Sequence, residues 1–171
     1  MSVLVTTGAT VPFVELIQSS MSQEMLNALS HVGYSKVVVQ YGHGKDHFEN
    51  AKSDKMSPIE VTGFSFSDNM EEAISKADLV ISHAGTGSIL DALRANKKLI
   101  VVVNEQLMNN HQLEIAEEFE KRGHLLVSGS STKDLVATID KSAGFKFQRL
   151  VAPNSSKVAA IIDNEAGYHT N

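Results

Sequence analysis

An α/β fold built on an open, mostly parallel, doubly wound sheet is what this sequence predicts, and three observations predict it. Short unbroken apolar runs, among them Val3-Leu4-Val5, Leu79-Val80-Ile81 and Leu99-Ile100-Val101-Val102-Val103, have the character of strands buried on both faces. Segments of helical spacing alternate with them, as at Ile89, Leu90 and Leu93 or at Leu113, Ala116 and Phe119. Strands also run straight into glycine turns, at Thr7-Gly8-Ala9, Tyr41-Gly42-His43-Gly44 and Ala84-Gly85-Thr86-Gly87. In a sheet of this kind a ligand lies outside the carboxyl ends of the strands, where such turns gather.

A chain of 171 residues suits one domain with a proper core and is too short for two ordinary nucleotide-binding lobes. A single domain over 1–171 is expected, with 153–171 a C-terminal docking helix and tail. The net charge is −5 and lysine and arginine are scattered, so no basic stripe points to nucleic acid or to a polybasic membrane patch. Without cysteine there is neither a disulfide framework nor a thiolate metal site, and the N-terminus opens on a strand rather than a charged leader. The chain reads as cytosolic. No apolar run approaches the ~18 residues that span a bilayer, so a membrane substrate would be reached through a partner.

Taken in order, Val3 to Thr6 is the first strand, and Thr7-Gly8-Ala9-Thr10-Val11-Pro12-Phe13 leads into a helix ending near Gly33. Pro12 suits the first helical turn, where its missing N–H costs nothing, and Thr10 suits the cap while still offering a hydroxyl. A plain βα turn fits the same residues. Lys36 to Gln40 is the second strand, Lys45 to Pro58 reads as a polar loop, and His43 and His47 read as exposed rather than metal ligands. Ile59 to Gly63 is a strand followed by the loop Phe64-Ser65-Phe66-Ser67, after which Asp68 or Asn69 caps a helix through Lys76. Phe64 and Phe66 read as core, yet the backbone of their loop has N–H and C=O groups suited to a pyrimidine edge.

Leu99 to Val103 forms another strand, and Asn109-Asn110-His111-Gln112 opens a well-marked helix. Glu114, Glu117 and Glu118 come early in it, Lys121 and Arg122 late, and Gly123 closes it, in keeping with the helix dipole. Asn110 is the expected cap, with His111 and Gln112 in the first turn. Leu125 to Val127 is a last short strand, Lys133 to Ser142 a helix, and Ser156 to Glu165 a tail helix striped by Val158, Ile161 and Ile162.

The stretch from Ala77 to Leu93 carries the chemistry. A strand, a glycine turn and a helix N-terminus together present free N–H groups and the positive end of the helix dipole, which suits a phosphate. Ser88-x-x-Asp91 fits two readings, a capping box or an acid that accepts hydrogen bonds from a sugar diol. Gly85 and Gly87 likewise fit a tight turn or a close ligand approach. A dinucleotide oxidoreductase is a rival, because Glu105 follows Gly85-x-Gly87 at about the fingerprint spacing. It fails because Leu90 stands in place of the third glycine and the motif lies on a late strand.

The segments Thr7 to Phe13, Ser82 to Asp91 and Asn109 to Gln112 resemble the family of eukaryotic cytosolic subunits of the two-part UDP-N-acetylglucosamine transferase of N-glycosylation. The similarity runs from Val3 to about Val127. This family is in turn similar to the donor-binding lobe of the bacterial lipid-linked N-acetylglucosaminyltransferase. The resemblance implies a Rossmann-like lobe equivalent to the C-terminal donor-binding lobe of a GT-B glycosyltransferase. It implies that Gly8, Thr10 and the turn of Gly85, Thr86, Gly87 and Ser88 face the diphosphate, and that the loop near Phe66 and Ser67 holds uracil by its backbone. It places Asp91 where bacterial relatives carry a longer ribose-binding acid, and His111 and Gln112 beside the donor sugar. No metal, no cofactor and no catalytic residue in this chain are expected, the base coming from the partner. The implied partner is a membrane-anchored, acceptor-binding subunit at the cytosolic face of the endoplasmic reticulum. With it, N-acetylglucosamine would pass to a dolichol-linked acceptor, N-acetylglucosaminyl-diphosphodolichol. The alternative is a stand-alone nucleotide-sugar-binding or regulatory module without chemistry of its own.

Overall fold

A computed structural model describes residues 1–52, 57–104 and 110–150, with only the backbone described at 110 and 111. Among these residues six parallel strands stand in the order β3-β2-β1-β4-β5-β6. They are β1 (Ser2–Thr6), β2 (Lys36–Gln40), β3 (Glu60–Phe64), β4 (Leu79–His83), β5 (Lys98–Val102) and β6 (Leu126–Ser128). The helices between and after them are α1 (Val14–Ser20), α2 (Gln23–His31), α3 (Lys45–Lys52), α4 (Met70–Lys76), α5 (Thr86–Arg94), α6 (Asn110–Lys121) and α7 (Thr132–Gly144). The register sets Val5 of β1 between Val39 of β2 and Ile81 of β4.

Side chains alternate across the pleat and so divide the apolar strands between two cores. Val3, Val5, Val39, Ile81, Ile100 and Val102 pack under α1, α2, α3 and α7, against Leu16, Ile17, Leu29, Phe48, Leu135 and Ile139. Leu4, Val80, Leu99 and Val101 pack on the other face under α4, α5 and α6, against Ile74, Ile89, Leu93, Ala116 and Phe119. The direction of winding reverses between β1 and β4. The crossover from β1 to β2 lies on one face and that from β4 to β5 on the other, which opens a crevice at the carboxyl ends of the two strands.

Several expectations are corrected in this frame. The helix expected to run unbroken to Gly33 is two helices, because the serines between them turn back on the backbone. Ser20 Oγ donates to the Ile17 carbonyl, Ser22 Oγ donates to that of Ser19, and Ser22 then caps α2 by accepting from the Met25 N–H. Thr10 caps nothing and Pro12 precedes the helix: the N-cap of α1 is Phe13, with no side-chain cap. The stretch expected as a polar loop holds α3, pinned by a single aromatic. Phe48 is 2% exposed and stacks on Tyr41 with ring centroids 4.9 Å apart.

Other signals read true. Asn69 is the cap of α4, accepting from the Glu72 N–H at 3.0 Å, and Gly33 and Gly123 follow α2 and α6 with φ of 94° and 75°. The described backbone makes Asn110 the first residue of α6, so the position ahead of it lies outside the described residues. The tail over 153–171, with its expected helix, lies outside them as well. Phe48→Ala is expected to cost about 3–5 kcal/mol, the usual range for emptying a buried aromatic site, and to melt α3 while the strands persist. Urea denaturation together with amide exchange across 45–52 checks this.

Candidate functional site

The crevice between β1 and β4 is built from the loops that leave the strands at their carboxyl ends. One hollow of about 280 Å³ is lined by Gly8, Thr10, His83, Gly85, Asn104 and Gln112. A second, of about 370 Å³, is lined by Gly8, Thr10, Gln40, Phe66, Ser67 and Ser88, and His83 borders both. Together they lie within the ~300–1,000 Å³ typical of small-molecule sites. A larger groove of about 650 Å³ runs beneath α4, lined by Leu4, Val38, Phe64 and Ala73 and reaching Phe66 and Ser67 at one end. That groove follows the face of the sheet, away from the glycine turns, so the polar chemistry belongs to the crevice.

Gly8 carries a φ of +86°, which a side chain would strain, and a Cβ there would also come within 3.0 Å of His83 Nε2. Gly85 is held to glycine by the same ring, since a Cβ on it would collide with His83 Nε2. Both glycines therefore make room for one imidazole, a reason the sequence pattern does not disclose. Gly87 is different. It is exposed, has no positive φ, and a Cβ built on it would meet nothing within 4 Å.

Helix α5 begins at Thr86 with Gly85 as its N-cap and no side-chain cap. Ser88 is thus inside the helix and cannot cap it, so the capping-box reading of Ser88-x-x-Asp91 falls away. Among the described residues nothing accepts a hydrogen bond from the N–H groups of Thr86, Gly87 or Ser88, whereas α2, α4 and α7 are capped by Ser22, Asn69 and Ser131. Asp91 follows Ser88 at i+3 on the same side of α5; it is exposed, and its carboxylate has no bond to a described residue.

The structure thus gathers Gly8, Thr10, Phe66, Ser67, Gly85, Ser88 and Gln112 around one crevice. Thr86 and Gly87 open α5 between Gly85 and Ser88, and neither they nor Asp91 line either hollow. His111 is in the first turn of α6, and its side chain lies outside what the structure describes. Phe66 is not core. It is 48% exposed and meets His43 edge-on with ring centroids 4.9 Å apart. Missing from the expected site residues is Gln40, which only the strand pairing brings under the crevice; a glutamine ending a strand gives no signal in sequence. Among the described residues, no helix is long and apolar enough to cross a membrane, and no cluster of His, Asp and Glu could hold a metal ion.

Comparison with known proteins meets this geometry from outside. The model of the glycosyltransferase family 28 C-terminal domain matches residues 2–164. This chain belongs to that family. The UDP-N-acetylglucosamine transferase subunit ALG13 of Yarrowia lipolytica is 44% identical over 169 residues, which cover 98% of this chain and 86% of the relative. The NMR solution structure of ALG13 superposes with a TM-score of 0.75 at 33% identity, covering 96% of each chain. MurG of Acinetobacter baumannii superposes with a TM-score of 0.66 at 17% identity over 82% of this chain and 40% of its own, which shows a shared fold. The fold is the Rossmann-like C-terminal lobe of GT-B glycosyltransferases, and the chain is a glycosyltransferase subunit.

In this family 28 lobe His83 is the one titratable group among the described residues that line the crevice. Burial holds its imidazole below the usual histidine range, with a hydrogen bond to the Thr6 backbone working weakly the other way. Among the described residues Nδ1 is buried without a hydrogen-bond partner. The unfolded chain, with a histidine near its ordinary pKa of about 6.5, takes up a proton that the folded chain refuses. The neutral ring is therefore compatible with the fold above that pH, and stability falls as the pH drops below it. His83→Gln is expected to flatten this acid limb, so that melting temperatures between pH 7.5 and 5 decline less steeply in the variant than in the wild type.

Proposed function

We propose that this lobe binds UDP-N-acetylglucosamine and, joined to a membrane-anchored partner, transfers the sugar to N-acetylglucosaminyl-diphosphodolichol at the cytosolic face of the endoplasmic reticulum. The observation that carries the proposal is the uncapped N-terminus of α5 opening beside the Gly8 turn, with the Phe66-Ser67 loop on the same crevice. The 44% identity to a subunit named for this donor supports it.

On this reading the diphosphate lies between Gly8, Thr10 and the first turn of α5, where Thr86, Gly87 and Ser88 offer N–H groups and the dipole offers partial positive charge. As the acceptor hydroxyl attacks the anomeric carbon and the bond to UDP breaks, negative charge grows on the leaving diphosphate. Donors already fixed in place stabilise that charge without reorganising. The Phe66-Ser67 loop addresses uracil through its backbone, Asp91 reaches for the ribose, and His111 and Gln112 border the donor sugar. The proton of the acceptor hydroxyl goes to a base on the partner, because a base must lie within hydrogen-bond reach of the hydroxyl and one lobe leaves the acceptor unplaced.

A sugar-transfer assay on the purified chain, with and without the partner, tests this directly. Transfer is expected only when the two are combined, and UDP binding is expected from this chain alone. Gly87→Val should fold normally, since a Cβ at this position meets no described atom within 4 Å outside its own helix backbone and chain neighbours. It should nonetheless lose donor affinity by at least ~1.4 kcal/mol, or tenfold, because the side chain occupies the phosphate approach. Robust transfer by the isolated chain, or unchanged UDP affinity in folded Gly87→Val, contradicts the proposal.

A further inference from the structure

We propose that Gln40 is a positioning residue, a latch that fixes the turn at Gly8 relative to the loop at Ser65-Phe66-Ser67 so that both ends of one nucleotide meet the site together. The proposal rests on the donor-site reading above and adds a residue and a role that neither the glycine motifs nor the family match indicates. Gln40 is the last residue of β2 and only 5% exposed. Its side-chain amide is fully engaged with three backbone groups from two other loops. Oε1 accepts from the Thr7 N–H at 3.1 Å, while Nε2 donates to the Gly8 carbonyl at 3.1 Å and to the Ser65 carbonyl at 3.0 Å.

No other described side chain bonds to both loops. Its backbone joins in, because the Gln40 carbonyl accepts from the Thr7 N–H at 3.2 Å and from Thr7 Oγ1 at 2.9 Å. Gly42, two residues on, donates its N–H to the Ser65 carbonyl at 3.1 Å. A Cβ on Gly42 would lie 2.8 Å from the Gly8 carbonyl oxygen, and its φ of +55° disfavours a side chain independently. The glycine turn after β2, which faces no ligand in the scheme above, thus has a function: it lets the latch close.

The amide matters more than its volume. The Gly8 and Ser65 carbonyls converge on one NH2 group; without it Ser65 keeps its bond from the Gly42 N–H but is no longer tied to Gly8, so removing the amide releases the two loops from each other. Each loop keeps its own backbone bonds and strand. What is lost is their relative placement, which acts only on a ligand that spans both and gains from the effective concentration of its second end.

Three probes distinguish this from ordinary structural support: UDP, uridine and inorganic pyrophosphate, each titrated into the full chain. In Gln40→Met, of matching length without the amide, UDP affinity is expected to fall by about tenfold or more, while uridine and pyrophosphate each change by less than about threefold. Gly42→Ala, which leaves the Gln40 side chain intact but pushes on the Gly8 carbonyl, is expected to show the same pattern. Equal losses for all three probes, or UDP affinity within threefold of wild type in the folded variants, overturns the latch. So does failure of both variants to fold, which would make these residues supports of the fold. A wild-type chain that binds no UDP sinks the donor-site reading instead, and that result is seen before any variant is made.

Discussion

Everything at the carboxyl edge of this molecule depends on the parallel pairing of β1 with β4. That pairing places strands distant in sequence side by side, matching Thr6 with Ser82, and it occurs where the winding of the sheet reverses. The pair is sealed by buried hydroxyls, Thr6 Oγ1 donating to Ser82 Oγ at 3.0 Å and Ser82 Oγ donating to the His83 carbonyl at 2.8 Å. Beyond this point the two chains diverge, one toward α1 and one into α5 on the opposite face, and the gap between them is the crevice. A ligand there meets backbone from two glycine turns and the start of a helix before it meets any charged side chain. Among the described residues the crevice lining contains no lysine, arginine, aspartate or glutamate, so an anion would be held by oriented N–H groups and a helix dipole.

The glycines divide by what requires them. Gly8 and Gly85 yield space to the ring of His83, and Gly42 yields space to the Gly8 carbonyl. Gly63 on the edge strand β3 does the same, where a Cβ would press on the buried Phe48 ring at 2.6 Å. Only Gly87, among the glycines at the crevice, has open space where a side chain would go. Glycine near the start of a helix weakens it relative to alanine by roughly 0.5–1 kcal/mol in the interior and less at the end, a cost with no structural return at this position. On the proposed reading, a ligand that comes close to the backbone supplies the missing reason.

Much of this was legible in the sequence because the signals were local or periodic. Unbroken apolar runs gave the buried strands, Asn69 and Gly123 marked helix ends through their own backbone chemistry, and the change of period around Gly85 located the strand-to-helix turn. Where local signals compete, the reading failed. The serines at 19, 20 and 22 divided a helix that apolar spacing joined, and Ser88 looked like a cap only because the true cap, Gly85, has no side chain to announce it. Long-range features had no local trace at all. The burial of one face of α3 rests on Phe48 meeting Tyr41 and Gly63, and the place of Gln40 beneath two loops follows from the strand order alone. Phe66 was misplaced in the core because hydrophobicity says nothing of a loop that ends at a crevice mouth.

The central claim, that the gap between β1 and β4 is a nucleotide site made mainly of backbone, is tested most directly by following amide signals of the full chain as UDP is added. The account predicts that shifts concentrate at Gly8 to Thr10, at Phe66 and Ser67 and at Thr86 to Ser88, with the opposite edge of the sheet at Gly33 to Ser35 and Lys97 unmoved. Saturable shifts centred on the apolar groove beneath α4, or on the opposite edge, with the α5 amides silent, would contradict it.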